Sequence, residues 1–241
     1  MRTHGSGLCV LLAALLWTVP GTSLADLSGS VGIGVIDANR FPGSDERRQR
    51  VIPVISAEYR DTFYFRFTRM GAWLWQDQEG DQWRLGPAVR PRFRVTPPPD
   101  LELEERDFTL DTGMAGRYRT GILQWSLSVF TDGFRRHRGH SADLGVSTFI
   151  PLGANARLLP SLTLRYEDRR INDFYYGTEG VPFARDTLGI GLSLLSQYDF
   201  SENWQATVGL FFNREDRKRL ESPLVQARSS RTALAGVSWR W

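Results

Sequence analysis

The most constraining feature of this sequence is an alternation of apolar with polar or small side chains, which repeats every two residues. It is clearest at the end of the chain, from Arg231 to Trp241. A two-residue period indicates a β-strand, because successive side chains of a strand point to opposite faces of the sheet. The apolar face of this strand needs a covering layer or lipid, since an exposed apolar strand invites aggregation. That face consists of Ala233, Ala235, Val237, Trp239 and Trp241, and Leu234 is the one apolar residue on the other face.

The same period recurs along the chain and separates charge from apolar surface. From Trp83 to Phe93 the odd-numbered positions are apolar, and arginine is the commonest residue at the even-numbered ones. Transmembrane β-barrel strands have this character, because lipid-facing and lumen-facing residues alternate, and their mean hydropathy is therefore low. The whole-chain value is −0.32. Pro87 and Pro91 argue against a central strand of a soluble sheet, and we interpret them as a local bulge.

The first residues predict export. Arg2 precedes a short apolar run, Leu8–Trp17, and small residues before Asp26 suit cleavage by a signal peptidase. We therefore predict a signal peptide at residues 1–25, Sec-dependent export and a single domain at residues 26–241. The only cysteine, Cys9, lies in the predicted signal peptide, so the mature chain needs no disulfide.

Together, the export signal, the aromatic-ended strands and the terminal Trp241 favour a barrel over a soluble sandwich. The prediction is an all-β, transmembrane, antiparallel up-and-down β-barrel in the outer membrane of a Gram-negative bacterium. An even strand number gives about 12 strands, with about 10 as the alternative, and 12 requires Phe63–Arg69 and Ala72–Gln76 to be separate strands. No segment predicts a convincing helix. Four long connections, Thr96–Glu105, Phe134–His140, Glu167–Ala184 and Arg214–Ser230, are assigned to the outer side.

The alternation predicts a cluster of basic side chains in the lumen. Facing them to lipid would cost about 2–4 kcal/mol each near the midplane of the membrane. The acids predicted to face inward are fewer: Glu58, Asp111, Asp143 and Glu167. Two interpretations remain open, a structural ladder of arginines and carboxylates or a weakly anion-preferring pore. The predicted lumen-facing arginines are Arg66, Arg84, Arg90, Arg92, Arg94, Arg117, Arg157 and Arg165.

No arrangement of residues predicts catalysis, a metal site, a cofactor or nucleic-acid binding. His137 and His140 lie in a basic loop with Arg135, Arg136 and Arg138 and are interpreted as a solvated charge cluster. His140 and Ser141 are adjacent, so in a strand they point to opposite faces and cannot act as base and nucleophile. We therefore predict a protein that is not an enzyme.

Several short motifs resemble those of the MltA-interacting protein (MipA)/OmpV family of outer-membrane proteins. The resemblance rests on loop residues Gly43, Ser44, Phe174, Tyr175, Tyr176, Gly177, Ser222 and Pro223, on Leu85-Gly86-Pro87 and on the aromatic terminus. Phe41-Pro42 departs from the family pattern, which has a tyrosine ahead of the Gly-Ser pair. The resemblance implies a non-enzymatic scaffold for murein-synthesising and murein-hydrolysing enzymes of the periplasm. The alternative is a small, weakly anion-preferring diffusion channel.

The terminal strand also resembles the C-terminal sorting strand of outer-membrane barrels. We predict that Val237, Trp239 and Trp241 form an assembly signal read by the barrel-assembly machinery. The remaining partners predicted for such a protein are outer-membrane lipid and lipopolysaccharide.

Overall fold

The fold was analysed in a computed structural model of the chain. It describes residues 26–40, 44, 46–66, 68–77, 82–93, 106, 108–178, 182–222 and 224–241. The predicted signal peptide lies outside these residues, as do Gly43, Pro223, Arg94 and the Phe41-Pro42 pair.

Twelve antiparallel strands make up the fold. Two of them are interrupted, β4 at Trp73–Leu74 and β8 at Phe149. The strands are β1 (Leu27–Asn39), β2 (Arg47–Tyr59), β3 (Phe63–Arg66), β4 (Arg69–Ala72, continued by Trp75–Gln76), β5 (Trp83–Arg92), β6 (Thr109–Thr120), β7 (Leu123–Asp132), β8 (His140–Thr148, continued by Ile150–Pro151), β9 (Ala156–Glu167), β10 (Thr187–Asp199), β11 (Trp204–Arg214) and β12 (Ser229–Arg240).

The sheet closes on itself into a barrel. Each strand pairs with its neighbours along the chain, and β1 pairs with β12, for example Ile33 with Val237. The predicted antiparallel barrel of about 12 strands is therefore confirmed. We call the end that carries the long connections the outer end, and the end with the short turns the inner end, because short turns face the periplasm in such barrels.

The outward face of the barrel is apolar and the inward face is mixed. On β5, Trp83 and Leu85 are exposed to the outside, whereas Ala88 and Arg90 are buried inside. A small apolar cluster fills part of the lumen, and it consists of Tyr64, Trp73, Ala88, Ala115 and Phe130. Aromatic side chains ring the inner end, among them Phe63, Trp75, Trp83, Tyr118, Trp125, Tyr198, Trp204 and Trp239.

The β3–β4 hairpin is short, and its position differs from the sequence prediction. The chain reverses between Arg66 and Arg69, which face each other across the hairpin, so Met70 and Gly71 lie in β4 and not in a turn. Where β4 is interrupted it comes very close to β5. A Cβ on Gly86 would lie 1.7 Å from the Ala72 carbonyl oxygen, so only glycine fits at this motif position.

The bulge predicted for β5 is absent, because its pairing with β6 runs without a break from Trp83 to Arg92. The absence of helix was also a wrong prediction. Helix α1 (Arg169–Tyr176) follows β9, and a 3-10 helix (Arg217–Glu221) follows β11. Asp168 caps α1 by accepting hydrogen bonds from two backbone N–H groups of its first turn. Among the residues described, no helix is long and apolar enough to cross a membrane.

Candidate functional site

Two arginines of β5 lie at the centre of an ion-pair network in the outer half of the lumen. Arg90 donates hydrogen bonds to Asp111 of β6 (Nη2–Oδ2, 2.7 Å) and Asp143 of β8 (Nη1–Oδ2, 3.0 Å). Arg92 donates to Asp111 (Nε–Oδ2, 2.7 Å) and Glu167 of β9 (Nη1–Oε1, 2.8 Å). All three carboxylates are buried. The network therefore joins β5 to strands up to four positions away around the barrel, and each of these arginines has two carboxylate partners.

Arg165 and Arg69 extend the network around Asp143. Arg165 donates to Asp143 (Nε–Oδ1, 2.8 Å), and its side chain is half exposed to the lumen. Arg69 also forms an ion pair with Asp143. The sequence did not predict Arg69 as an inward residue, because the chain was expected to reverse at residues 70–71, whereas it reverses between Arg66 and Arg69. Ser141 accepts a hydrogen bond from Arg90 (Nη2–Oγ, 2.6 Å).

His137 is part of this network and is not solvated, so the prediction for it was wrong. Its Nε2 lies 3.0 Å from Asp111 Oδ1, and its Nδ1 accepts a hydrogen bond from the Gly139 N–H. Because Nδ1 accepts a hydrogen bond, the hydrogen of the neutral ring lies on Nε2, which donates a hydrogen bond to Asp111. His140 and the neighbouring Arg135, Arg136 and Arg138 are exposed. Ser141 is buried while His140 is exposed, as expected for adjacent strand residues.

Two outer connections, one between β9 and β10 and the other between β11 and β12, fold over the network. Arg219, from the 3-10 helix, pairs with Glu167 of β9 and Glu215, and it donates to Asn172 Oδ1 of α1 at 3.0 Å. Asn172 is fully buried. Its Nδ2 donates to the Thr187 hydroxyl at 3.0 Å. Arg219 therefore ties α1 and the 3-10 helix to the barrel wall, and it was missed because nothing in its local sequence marks it.

The motif residues of these two connections contact each other. Ser222 donates to the Tyr176 carbonyl oxygen (2.6 Å), and Tyr176 packs with Phe183 and Val225. Tyr175 lies within 3.2 Å of the Thr109 hydroxyl. Burial raises the pKa of the Tyr176 phenol above its ordinary value. The motifs thus form one packed unit at the outer end of the lumen.

The remaining motif residues stabilise local backbone. Gly177 ends α1, and its carbonyl oxygen accepts from Arg106 (Nη2–O, 2.9 Å). The Phe174 ring packs edge-on against the Tyr175 ring at 5.0 Å. Ser44 is buried, and its hydroxyl accepts from the Glu46 N–H at 3.1 Å.

Four arginines in the inner half of the lumen share two carboxylates. Arg66 and Arg84 share Glu58 at 3.4 and 3.5 Å. The Arg117 guanidinium lies 5.6 Å from the Trp73 ring. On the opposite wall, Arg157 and Arg240 share Asp199, at 2.9 and 3.2 Å.

Open space follows the wall formed by strands β6 to β11. One cavity of about 210 Å³ lies beside Arg165, Arg219 and Glu215, and a second of about 320 Å³ lies beside Ser126 and Leu159. A third, of about 490 Å³, reaches the β6–β7 turn at Gly121. Neighbouring cavities share lining residues: Ser161, Thr163, Ser193 and Phe211 for the first pair, and Ser147 and Leu159 for the second. These cavities form a row from the network to the inner end.

A family model described as MltA-interacting protein MipA matches residues 31–241. The chain belongs to the MipA family. This confirms the resemblance drawn from the motifs. A curated relative, YiaT of Escherichia coli (strain K12), is named as an outer membrane protein. It is 26% identical over 225 residues, which cover 88% of this chain and 90% of YiaT. YiaT of Escherichia coli O157:H7 is 25% identical over the same shares of the two chains.

The chain is also similar to solved outer-membrane barrels. The NanC porin has 12% identity and a TM-score of 0.49, with 86% of this chain and 98% of that chain covered. An outer membrane channel of Pseudomonas putida F1 has 12% identity and a TM-score of 0.47, with 89% and 96% covered. This member of the MipA family is an outer-membrane β-barrel.

The chemistry of this site in a MipA-family barrel is electrostatic. No cluster of side chains suited to a metal ion occurs among the described residues. The inward polar groups are mainly guanidinium ions, carboxylates and hydroxyls, which bind ions and water. On the lipid side, Val237, Trp239 and Trp241 are exposed on one face of β12 and at its end.

Proposed function

We propose that this protein is a narrow diffusion channel with a weak preference for anions. The observation that carries the proposal is the row of cavities along strands β6 to β11. Its walls are rich in small and hydroxyl side chains, including Ser126, Ser161, Thr163 and Ser193. Such walls can hydrate a passing ion without binding it tightly. The ion-pair network and the two folded connections narrow the outer end of the path.

The charge along the path supports a preference for anions. In the outer half, Arg69, Arg90, Arg92, Arg165 and Arg219 face Asp111, Asp143, Glu167 and Glu215, which nearly neutralises them. In the inner half, Arg66 and Arg84 share Glu58, Arg157 and Arg240 share Asp199, and Arg117 lies against the Trp73 ring. The lumen therefore carries an excess of positive charge, which attracts anions.

Conductance of the purified protein in planar bilayers tests this function. The reversal potential in a salt gradient should show anion preference. Arg165→Glu, beside the first cavity, should weaken or reverse that preference, whereas Arg185→Glu in an exposed connection should leave it unchanged. Correctly assembled protein without any conductance would contradict the proposal.

A second candidate function is a scaffold for murein enzymes. The family name, MltA-interacting protein, supports it. The short inner turns are a difficulty, since a stable interface buries about 1,200 Å² or more, so a partner would have to contact several turns at once. Photo-crosslinkers at Asn155 and Ser201, in two inner turns, should capture murein enzymes, and Arg136 in an outer connection serves as the control. Capture from Arg136 alone would exclude this role.

We also propose that the end of β12 is read by the barrel-assembly machinery. Deleting Trp241 should lower the amount of heat-modifiable protein in the outer membrane and leave degraded or periplasmic chain. Deleting the exposed Leu220 provides a control outside the strand. Normal membrane levels after loss of Trp241 would contradict the assembly role.

A further inference from the structure

The barrel wall is lower between β2 and β5 than elsewhere. β3 pairs with β2 only from Ser56 to Tyr59, and β4 pairs with β5 no further toward the outer end than Val89. Within the described part of the chain, no strand pairs with residues 47–55 of β2 on the side away from β1. Since β3 and β4 end below this height, β2 and β5 are three strand spacings apart there, about 14 Å. We call this space the wall gap.

The sequence of β2 is adapted to the wall gap. The Arg60 N–H donates to the Asp26 carbonyl oxygen on the β1 side, and the pairing of β2 with β1 is continuous. Even-numbered residues of β2 therefore turn their backbone groups toward β1, and odd-numbered residues turn theirs toward the gap. Pro53 is odd-numbered, so its missing N–H faces the gap, where no partner strand is needed.

The sequence of β5, which forms the other edge of the wall gap, is adapted in the same way. The Leu85 carbonyl oxygen accepts from the Leu74 N–H on the β4 side, and β5 has no bulge. Pro91 lies six residues further on, so its nitrogen also faces the gap. Prolines on both edges are expected where a strand ends a sheet and are unfavourable within one. The gap is therefore a feature encoded by the sequence.

The wall gap lies at the depth of the outer leaflet. A strand rises about 3.3 Å per residue and tilts by about 40° in a barrel. Counted from Tyr59 near the inner aromatic ring, Val54 and Ile52 lie about 13 and 18 Å higher, within an apolar band of about 25 Å. Arg50 and Arg48 lie about 23 and 28 Å higher, at the level of the lipid head groups.

These four side chains share the lumen face of β2, because all are even-numbered, and we call them the amphipathic column. Arg48 and Arg50 are exposed, and no described residue forms an ion pair with either. The apolar part continues onto β12. A Cβ on Gly34 would lie 3.3 Å from both Val54 Cγ2 and Leu234 Cδ1. This accounts for Leu234, the apolar residue on the otherwise polar face of β12.

We propose that the wall gap is a lateral port, and that the amphipathic column binds a single-chain anionic amphiphile such as a fatty acid or alkyl phosphate. The head group pairs with Arg48 and Arg50, and the chain lies along Ile52, Val54 and Leu234. Charges and apolar groups along the column have the order and depth of an amphiphile in the outer leaflet. The port gives such a molecule a route between bilayer and lumen.

Lipid quenching tests the port. The protein carrying Val54→Cys, labelled with bimane, is reconstituted into phosphatidylcholine vesicles that contain lipid with a nitroxide on the acyl chain. Ser193→Cys is the matched control, since it faces the lumen five residues from Tyr198, as Val54 does from Tyr59, but its strand is paired on both sides. We expect several-fold stronger quenching at position 54. Equal quenching at both positions would overturn the port.

Laurate tests the amphiphile site in the same labelled protein. Added laurate should change the bimane fluorescence at position 54 saturably, and dodecyl maltoside, with the same chain and no charge, should not. Arg48→Gln combined with Arg50→Gln should weaken the laurate response about tenfold or more, as expected for losing charge-assisted hydrogen bonds. Arg47→Gln is the control, because Arg47 lies on the opposite face and pairs with Asp37. An equal response to dodecyl maltoside, or to laurate in the double variant, would overturn the site.

The port goes beyond the proposed channel and does not depend on it. Quenching and laurate binding are measured in vesicles without a conductance readout. A protein that conducts but shows no lipid contact at position 54 would retain the channel function and lose the port. A protein that binds laurate but does not conduct would retain the port and lose the channel function.

Discussion

The outer and inner halves of the lumen hold arginines in different ways. In the outer half, Arg90 and Arg219 are at most 10% exposed, and each pairs with two carboxylates. In the inner half, Arg66 is 50% exposed and shares one carboxylate with Arg84 at 3.4 Å or more. A buried guanidinium needs full compensation because it cannot lose its charge, whereas a hydrated one does not.

The difference shows that inward alternation alone does not define the role of a lumen arginine. The same pattern on β5 places Arg84 in the inner half and Arg90 in the outer half. What separates them is the supply of partners, because Asp111, Asp143 and Glu167 lie only at the outer level. We propose that the two interpretations of the lumen apply to different halves, a structural ladder of ion pairs in the outer half and a positively charged vestibule in the inner half.

The largest expected effect is on the stability of the outer half. Asp111→Ala removes a partner of Arg90, Arg92 and His137 at once and leaves buried charge uncompensated, which costs about 3–5 kcal/mol. The matched change in the inner half, Glu58→Ala, removes a partly exposed pair worth about 0–1 kcal/mol. The measurement is the temperature at which the folded form on a gel converts to the unfolded form. Similar shifts for both variants would show that carboxylates in the two halves contribute equally to stability.

The next effect is on the narrowing of the outer end. Arg219→Leu should release α1 and the 3-10 helix from the network and raise single-channel conductance. Arg217→Leu is the control, since it lies on the same 3-10 helix but is exposed. Unchanged conductance in correctly assembled Arg219→Leu protein would mean that these connections do not narrow the path.

The arginines that lie on strands could be predicted from the sequence to face inward. The buried residues that lie in loops could not be predicted. Slipping a strand by one residue would expose every inward arginine of β5 to lipid, so alternation fixes the facing of Arg84, Arg90 and Arg92. Arg219 and His137 lie in connections without a repeating pattern, and their partners come from distant strands. Their burial depends on how the closed barrel brings those strands together.

The short elements were hard to predict for a related reason. Helix α1 has eight residues, and its N-cap, Asp168, is the one local signal for it. The β3–β4 hairpin has strands of four residues, too short for alternation to show where the turn lies. Pro53 and Pro91 were signals of the wall gap, but a proline marks an edge only once the neighbouring strands are known.

A smaller effect is expected for ion selectivity, and it locates the selective region. Arg66→Gln combined with Arg84→Gln removes two inner-half charges with little expected change in stability, because their ion pairs with Glu58 are long, at 3.4 and 3.5 Å. Anion preference, measured from the reversal potential in a salt gradient, should decrease while conductance persists. Arg60→Gln, exposed in the β2–β3 turn, is the control. If only Arg165→Glu alters selectivity, the selective region is the outer half.

The smallest expected effect is a pH dependence that arises in the outer half, beside the first cavity. Burial raises the pKa of the Glu215 carboxyl above its ordinary value, although Arg219 acts in the opposite direction. Glu215 therefore becomes neutral at a higher pH than an exposed glutamate does. Because folding favours its protonated form, protonation of Glu215 does not destabilise the fold. As the pH falls, Glu215 is neutralised before an exposed glutamate would be, so the path becomes more positive and anion preference should rise slightly. Glu215→Gln should abolish this rise, and Glu221→Gln, which is exposed, should retain it. A rise that persists in Glu215→Gln would assign the titration to another group and leave Glu215 with a structural role beside Arg219.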